Sequence, residues 1–270
     1  MILLCTAGTA AAPVVVRAQA PDDPPPKTVP AETLIAVAAN FAPAMQPLVR
    51  RFTAHTGHRV TVDVGGTGSL YAQIVNGAPF EILLAADSDR PQRLEAAGDA
   101  VAGTRFTYAI GRLALWRPAR HGDPVSAALP DASILAGDSF RHLAVADPAT
   151  APYGRAARQT IERLGLAARL AERIVRGQNV GQAYQFVAGG AAEVGLVALS
   201  QVIDADPATW WIVPDELYDP IEQQAVLLRR GRDNPAAVAF LGFLRSDEAR
   251  RILADFGYAV PDSGYAGPER

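Results

Sequence analysis

From Thr33 onward the apolar positions switch repeatedly between a run or alternation typical of buried strands and the three-to-four spacing of one helix face. TLIAVAA (33–39) predicts a strand, FAPAMQPLVRRFTAHTG (41–57) a helix stopped by Gly57, and HRVTVDVG (58–65) a second strand. SLYAQIVNGA (69–78) continues as a helix and FEILLAAD (80–87) as a strand. A later set repeats the rhythm: RHLAVADP as strand, GRAARQTIERLG and NVGQAYQFVAGGA as helices, EVGLVAL as strand. Alternation of this kind predicts an α/β fold of mostly parallel sheets covered by helices. Between the sets, FTYAIGRLALWRP (106–118) is a long strand-like run suited to carrying the chain from one lobe to another, and IEQQAVLLRRG (221–231) reads as the return strand. Helices around NPAAVAFLGFLRSDEARRILADFG (234–257) close the pattern. The expected division is lobe 1 at 33–110 plus 225–262, lobe 2 at 111–224, and a tail at 263–270.

In open α/β sheets ligands lie beyond the carboxyl ends of the strands. Four junctions fit that position, each preceding a helical pattern: Ala39-Asn40-Phe41, Gly65-Gly66-Thr67-Gly68-Ser69, Ala151-Pro152-Tyr153-Gly154 and Gln178-Asn179-Val180-Gly181. Each offers main-chain NH groups with the positive end of a helix dipole behind them, which is the requirement for holding an anion. Asn40 adds an amide donor, Thr67 and Tyr153 add hydroxyls, and Val180 adds only its NH. Each also has a plainer explanation. Asn40 and Thr67 are residue types that cap helices, the glycines suit a tight turn, and Tyr153 and Val180 suit packing. Their joint occurrence is what favours a site.

Composition narrows the class. With 25 Lys plus Arg against 28 Asp plus Glu, the net charge is −3, and no basic block stands out, so nucleic acid is not an expected partner. A negative chain that holds an anion must do so with local dipoles. Residues 1–20, MILLCTAGTAAAPVVVRAQA, read as an export signal ending in the cleavable Ala18-Gln19-Ala20. The only nearby cation, Arg17, follows the apolar run rather than preceding it, so the true start is expected upstream of Met1. The sole cysteine, Cys5, lies in this segment, so a mature chain holds no disulfide. Residues 21–32, PDDPPPKTVPAE, form a Pro-rich linker.

The segments AVAANFAPAM, GGTGSLYAQIVNGAPFEILLAAD, FTYAIGRLALW, DPATAPYGRAA, NVGQAY and EVGLVALSQV stand in an order and spacing that resembles the molybdate-binding periplasmic components of ABC transporters. The likeness runs from about Leu34 to about Val260. It implies the two-lobed type II periplasmic binding protein fold with two hinge crossings, closing on a tetrahedral oxyanion. It further implies that Asn40 and Thr67 bind from lobe 1 and Tyr153 and Val180 from lobe 2, contacting the oxyanion rather than the metal within it. The expected ligand is molybdate, with tungstate beside it. The expected partner is a membrane permease, the location periplasmic, the state monomeric, with no cofactor and no enzymatic activity. One departure stands out. Many relatives carry a tyrosine where this chain has Ala198, and Tyr153 stands where they carry a small residue, so Tyr153 is expected to supply the missing hydroxyl.

Molybdate is a proton-free dianion that needs only donors, whereas monohydrogen phosphate brings a proton that needs an acceptor. Sulfate differs from molybdate only in size. Rival classes find thinner support. Gly137-Asp138-Ser139-Phe140 resembles the start of a GDS-type serine hydrolase with Ser139 as nucleophile, but no D-x-x-H block follows it. His55, His58, His121 and His142 have no metal-ligand spacing, and H-T-G-H at 55–58 reads as a solvated helix end. A binder of organic solutes would use an Arg clamp or stacked aromatics. Arg155 is the residue that could serve as that clamp, and Trp210 and Trp211 read as partly buried lobe surface.

Overall fold

The structure, a computed structural model, describes residues 30–119 and 131–261. The expected export signal, nearly all of the linker, Cys5, His121 and the tail lie outside the described residues. Ten strands form two five-stranded sheets. The strands are β1 (Glu32–Ala38), β2 (Arg59–Gly65), β3 (Ile82–Leu84), β4 (Phe106–Gly111), β5 (Leu113–Trp116), β6 (Leu143–Ala146), β7 (Ile174–Gly177), β8 (Val194–Ala198), β9 (Trp210–Ile212) and β10 (Ile221–Leu227). The helices are α1 (Ala42–Thr56), α2 (Thr67–Val75), α3 (Asp89–Ala97), α4 (Ala132–Ala136), α5 (Pro152–Arg163), α6 (Ala167–Leu170), α7 (Val180–Ala188), α8 (Leu199–Val202), α9 (Pro235–Leu244) and α10 (Asp247–Asp255).

The first sheet runs β2-β1-β3-β10-β4 and the second β7-β6-β8-β5-β9. In both, the fourth strand of the order is antiparallel to its neighbours. Both of these strands arrive from the other lobe: β5 follows β4 across Arg112, and β10 follows β9 across the segment between Ile212 and Ile221. FTYAIGRLALW is thus split between two sheets, as its length suggested. Two strands escaped the pattern reading. RIVRG, which contains β7, carries an Arg in mid-run, and the three-residue edge strand β9 holds Trp210 and Trp211 half-buried against the second core.

Strand alternation assigns the side chains of the first sheet to two cores. Ile35, Val37, Ile82 and Leu84 face the cluster built on α1, α9 and α10, while Ala36 and Leu83 face the cluster under α2 and α3. Burial on both faces is why these strands read as continuous apolar runs. Phe52 of α1 sits edge-on to Phe240 of α9 at 5.2 Å, fully buried; truncating such a ring costs about 3–5 kcal/mol. Gly57 ends α1 at φ 72°, a left-handed position where glycine has no Cβ penalty. His58 corrects the solvated reading of H-T-G-H. It is 4% exposed, and its Nδ1 accepts from the Ala31 NH, while His55 stays at the surface beside Glu248.

Candidate functional site

The parallel strands β1, β2, β6 and β7 all deliver the chain to the same end of their sheets, and a helix or 3-10 turn is the next element after each, directly after β1 and following a five-residue turn after β6. Those turns meet between the lobes. They enclose a cavity with about 10 Å³ for the centre of a water-sized sphere, walled by Ala38, Ala39, Asn40, Gly66, Thr67 and Ala86 from lobe 1 and Ala151, Pro152, Tyr153, Asn179 and Val180 from lobe 2. The structure therefore brings Asn40, Thr67, Tyr153 and Val180 to one place. All four are nearly fully buried, between 1% and 4% exposed.

The capping explanation does not account for Asn40 or Thr67. Gly66 is the N-cap of α2, with Thr67 its first helical residue, and Asn40 makes no capping bond. Thr67 Oγ1 instead accepts from the Ala86 NH at 3.1 Å, which leaves the hydroxyl proton to donate elsewhere. At α7 the cap is Asn179, whose Oδ1 accepts from the Gln182 NH at 3.1 Å and leaves the Val180 NH at the open helix start. Tyr153 occupies the first turn of α5, where main-chain NH groups have no partner within the helix. Its hydroxyl accepts from Gln223 Nε2 at 3.2 Å. Burial, with the phenols of Tyr258, Tyr218 and Tyr108 nearby, holds this hydroxyl well above the ordinary tyrosine range, so it stays a donor at neutral pH. Ala198 does not wall the cavity, whereas Tyr153 does.

Asn40 is engaged differently from its expected role. Its Nδ2 donates to Gln223 Oε1 at 2.8 Å and to Tyr258 Oη at 3.1 Å, so both amide protons are in use. Its carbonyl accepts from Ser200 Oγ at 2.8 Å and from Tyr258 Oη at 2.9 Å. The donor it still offers is its main-chain NH, at the start of a short 3-10 turn. Its Oδ1 is buried without a partner. The surrounding network of Tyr108, Ser200, Gln223 and Tyr258 was missed in the sequence. The available signal was Glu222-Gln223-Gln224, three polar residues in a strand that ends as the apolar run Ala225-Val226-Leu227.

The glycines have a role the sequence did not reveal. None of Gly65, Gly66, Gly68 or Gly181 has a positive φ, so a left-handed turn is not the reason for them. A Cβ on Gly66 would stand 3.1 Å from Asn179 Cβ, one on Gly68 3.0 Å from the Thr150 carbonyl, and one on Gly181 3.1 Å from Ala39 Cβ. Each of these neighbours belongs to the opposite lobe. The glycines let the two rims of the cavity close on each other.

No Lys, Arg, Asp or Glu walls the cavity. Charge gathers next door, in a cleft of about 660 Å³ lined by Asp87, Asp89, Arg105, Arg155, Asp219 and Glu222 among others. Arg155 Nη2 lies 3.6 Å from buried Asp87, which also pairs with Arg90, and Arg90 Nη2 donates to the Thr150 carbonyl at 3.1 Å. These contacts tie lobe to lobe at the cavity's rim. Ser139 is exposed and accepts from Arg117 at 3.3 Å, while His142 faces Glu193. Among the described residues, no cluster of three or more His, Cys, Asp or Glu could hold a metal ion. No helix among them is long and apolar enough to cross a membrane.

The profile of the bacterial extracellular solute-binding protein family matches residues 33–259. Two molybdate-binding proteins named ModA are similar. That of Azotobacter vinelandii is 45% identical over 235 residues, covering 85% of this chain and 90% of its own. That of Rhodobacter capsulatus is 44% identical over 229 residues, covering 85% and 88%. The solved periplasmic molybdate-binding protein of A. vinelandii superposes with a TM-score of 0.78 at 39% identity, over 85% of this chain and all of that one.

Proposed function

The chain belongs to the bacterial extracellular solute-binding protein family, and from that premise we propose that it captures molybdate in the periplasm and delivers it to the permease of an ABC transporter. The observation that carries the reading is an interlobe cavity walled only by uncharged residues at four helix starts. Oriented NH and OH groups in a dry site hold an anion without a counter-charge, because the dipoles are already in place and lose little on binding. Asn40, Thr67, Tyr153 and Val180 are the proposed contacts, two from each lobe. The likeness to two ModA proteins at 44–45% identity supports molybdate in particular. Tungstate has the same charge and shape, and we propose that it binds as well. The protein acts as a monomer in this account. The enzyme reading through Ser139 has no support, since the family binds solutes and Ser139 does not wall the cavity.

Asn40, Thr67, Tyr153 and Val180 are nearly fully buried, so an ion reaches them only when the lobes part. Opening at the hinge admits the ion, and closure around it places donors from both lobes on one ligand. The ion then favours the closed form through contacts that the open form lacks. Sulfate competes on size alone. Monohydrogen phosphate would find one unpartnered buried side-chain acceptor in the wall, Asn40 Oδ1, so it belongs in the same comparison.

Thermal unfolding with molybdate, tungstate, sulfate and phosphate in parallel tests the reading. A ligand at about 1,000 times its Kd adds roughly 4 kcal/mol. The expected result is a large rise in Tm with the first two ions only. Stabilisation by sulfate alone, or by phosphate, overturns the molybdate assignment.

A further inference from the structure

We propose that Gln223 is the positioning residue that sets the polarity of the site, holding the Tyr153 hydroxyl as a donor toward the cavity. The proposal rests on the oxyanion reading above and names a residue that does not itself wall the cavity. Gln223 lies in β10, a strand of the first sheet, and is fully buried. Its Oε1 accepts from Asn40 Nδ2 at 2.8 Å and from Tyr108 Oη at 3.1 Å, and its Nε2 donates to Tyr153 Oη at 3.2 Å. The side chain thus joins a lobe 1 wall residue to a lobe 2 wall residue.

Polarity follows from which atoms can accept. With its nitrogen toward Gln223 and Tyr258, the Asn40 amide fixes the oxygen end of Gln223, because an amide nitrogen cannot accept a hydrogen bond. Turning the Gln223 amide over would set two nitrogen donors face to face at the 2.8 Å now occupied by a hydrogen bond. The nitrogen end must then face Tyr153, whose oxygen accepts. A phenol that accepts from the protein keeps its own proton for another acceptor, and the proposed anion in the cavity is one. The opposite arrangement would give that proton to Gln223 and turn an oxygen lone pair toward the anion. Gly111 makes the pairing possible: a Cβ there would collide with the Tyr153 hydroxyl and come within 2.5 Å of Gln223 Nε2.

Gln223→Glu tests this through a pH profile. A protonated carboxyl has one acceptor and one O–H donor, the same polarity as the amide. An ionised carboxylate accepts only, so the Tyr153 O–H donates to it instead of to the cavity, and it adds a negative charge. Burial raises a glutamate above its usual value of about 4.3, which brings the titration into an accessible range. The titratable neighbours are Tyr108, Tyr153 and Tyr258, all pushed upward by burial, with the Asp87 carboxylate near Tyr108. Molybdate Kd is measured by calorimetry from about pH 8 to about pH 5.5, with wild type at each pH to account for the ion's own protonation. The expected ratio of variant to wild-type Kd falls from more than about tenfold at the alkaline end toward a few-fold at the acid end. A ratio that does not change with pH overturns the proposal.

A double-mutant cycle of Gln223→Met with Tyr153→Phe gives a second reading, and decides the matter if Gln223→Glu does not fold. Gln223→Met should weaken binding in wild type and add less than about twofold in the Tyr153→Phe background. Full additivity contradicts the role. If wild type binds no molybdate, the functional reading fails first and this inference falls with it; if wild type binds and only the variants disagree, this inference alone fails.

Discussion

Replacing Tyr153 by phenylalanine removes one oxygen and leaves the ring's packing in place. That oxygen has two duties, and they act on different quantities. It accepts from Gln223 Nε2 at 3.2 Å in this structure, and the proposed site keeps that bond in the complex, so losing it is expected to strand a buried donor in both states. Stranding costs about 1–3 kcal/mol of folding stability and cancels from the binding free energy. The second duty, donation to the oxyanion, exists only in the complex. A hydrogen bond to a charged group contributes about 1.5–3 kcal/mol, so Kd should rise roughly 10- to 150-fold. Calorimetric titration with molybdate reads the second effect, and thermal unfolding without ligand reads the first, as a fall of several degrees. If Tm falls and Kd stays within about twofold of wild type, the hydroxyl is structural only, and the proposed donor is not Tyr153.

Arg155→Ala separates rim from site. The guanidinium is 40% exposed and 3.6 Å from Asp87, an arrangement worth about 0–1 kcal/mol, so molybdate Kd should change by less than about fivefold; a loss beyond about a hundredfold would make Arg155 a ligand contact. Alkaline unfolding tests the buried phenols. Tyr108, Tyr153 and Tyr258 have folded values raised above the unfolded value of about 10, so their protonated forms favour the fold below pH 10 and this stability is lost as pH rises above it. Three such groups give a slope of about 4 kcal/mol per pH unit, and a urea unfolding series flat through about pH 11 would refute their burial.

The alternation of periods was legible because both sheets are covered on two faces, which makes their strands apolar runs and their helices amphipathic. The hinge was legible too, since FTYAIGRLALW is too long for one short strand and divides at Gly111 and Arg112 between two sheets. Three of the four helix starts could be read from residue types that follow a predicted strand, and the fourth, at Gln178-Asn179-Val180-Gly181, from the helix pattern alone. What those residues do there could not. Asn40 uses its amide on Gln223 and Tyr258, residues 183 and 218 positions away, and no local pattern announces such partners. The glycines misdirected for the same reason. Their neighbours across the cleft, Thr150, Asn179 and Ala39, are brought near only by closure of the two lobes, so the sequence suggested a turn where the structure shows an interlobe seam. β7 was hidden by Arg176 at its exposed position, and His58 by polar neighbours that gave no sign of its burial.

The proposed site holds a dianion between two lobes by uncharged donors alone. A crystal structure grown with tungstate, with the metal located by its anomalous signal, tests it directly. A single strong peak is expected at the junction of the four helix starts, its oxygens within hydrogen-bond distance of Thr67, Tyr153, Val180 and the Asn40 main chain and of no Arg or Lys. A peak in the neighbouring cleft against Arg155 or Arg105 would contradict it.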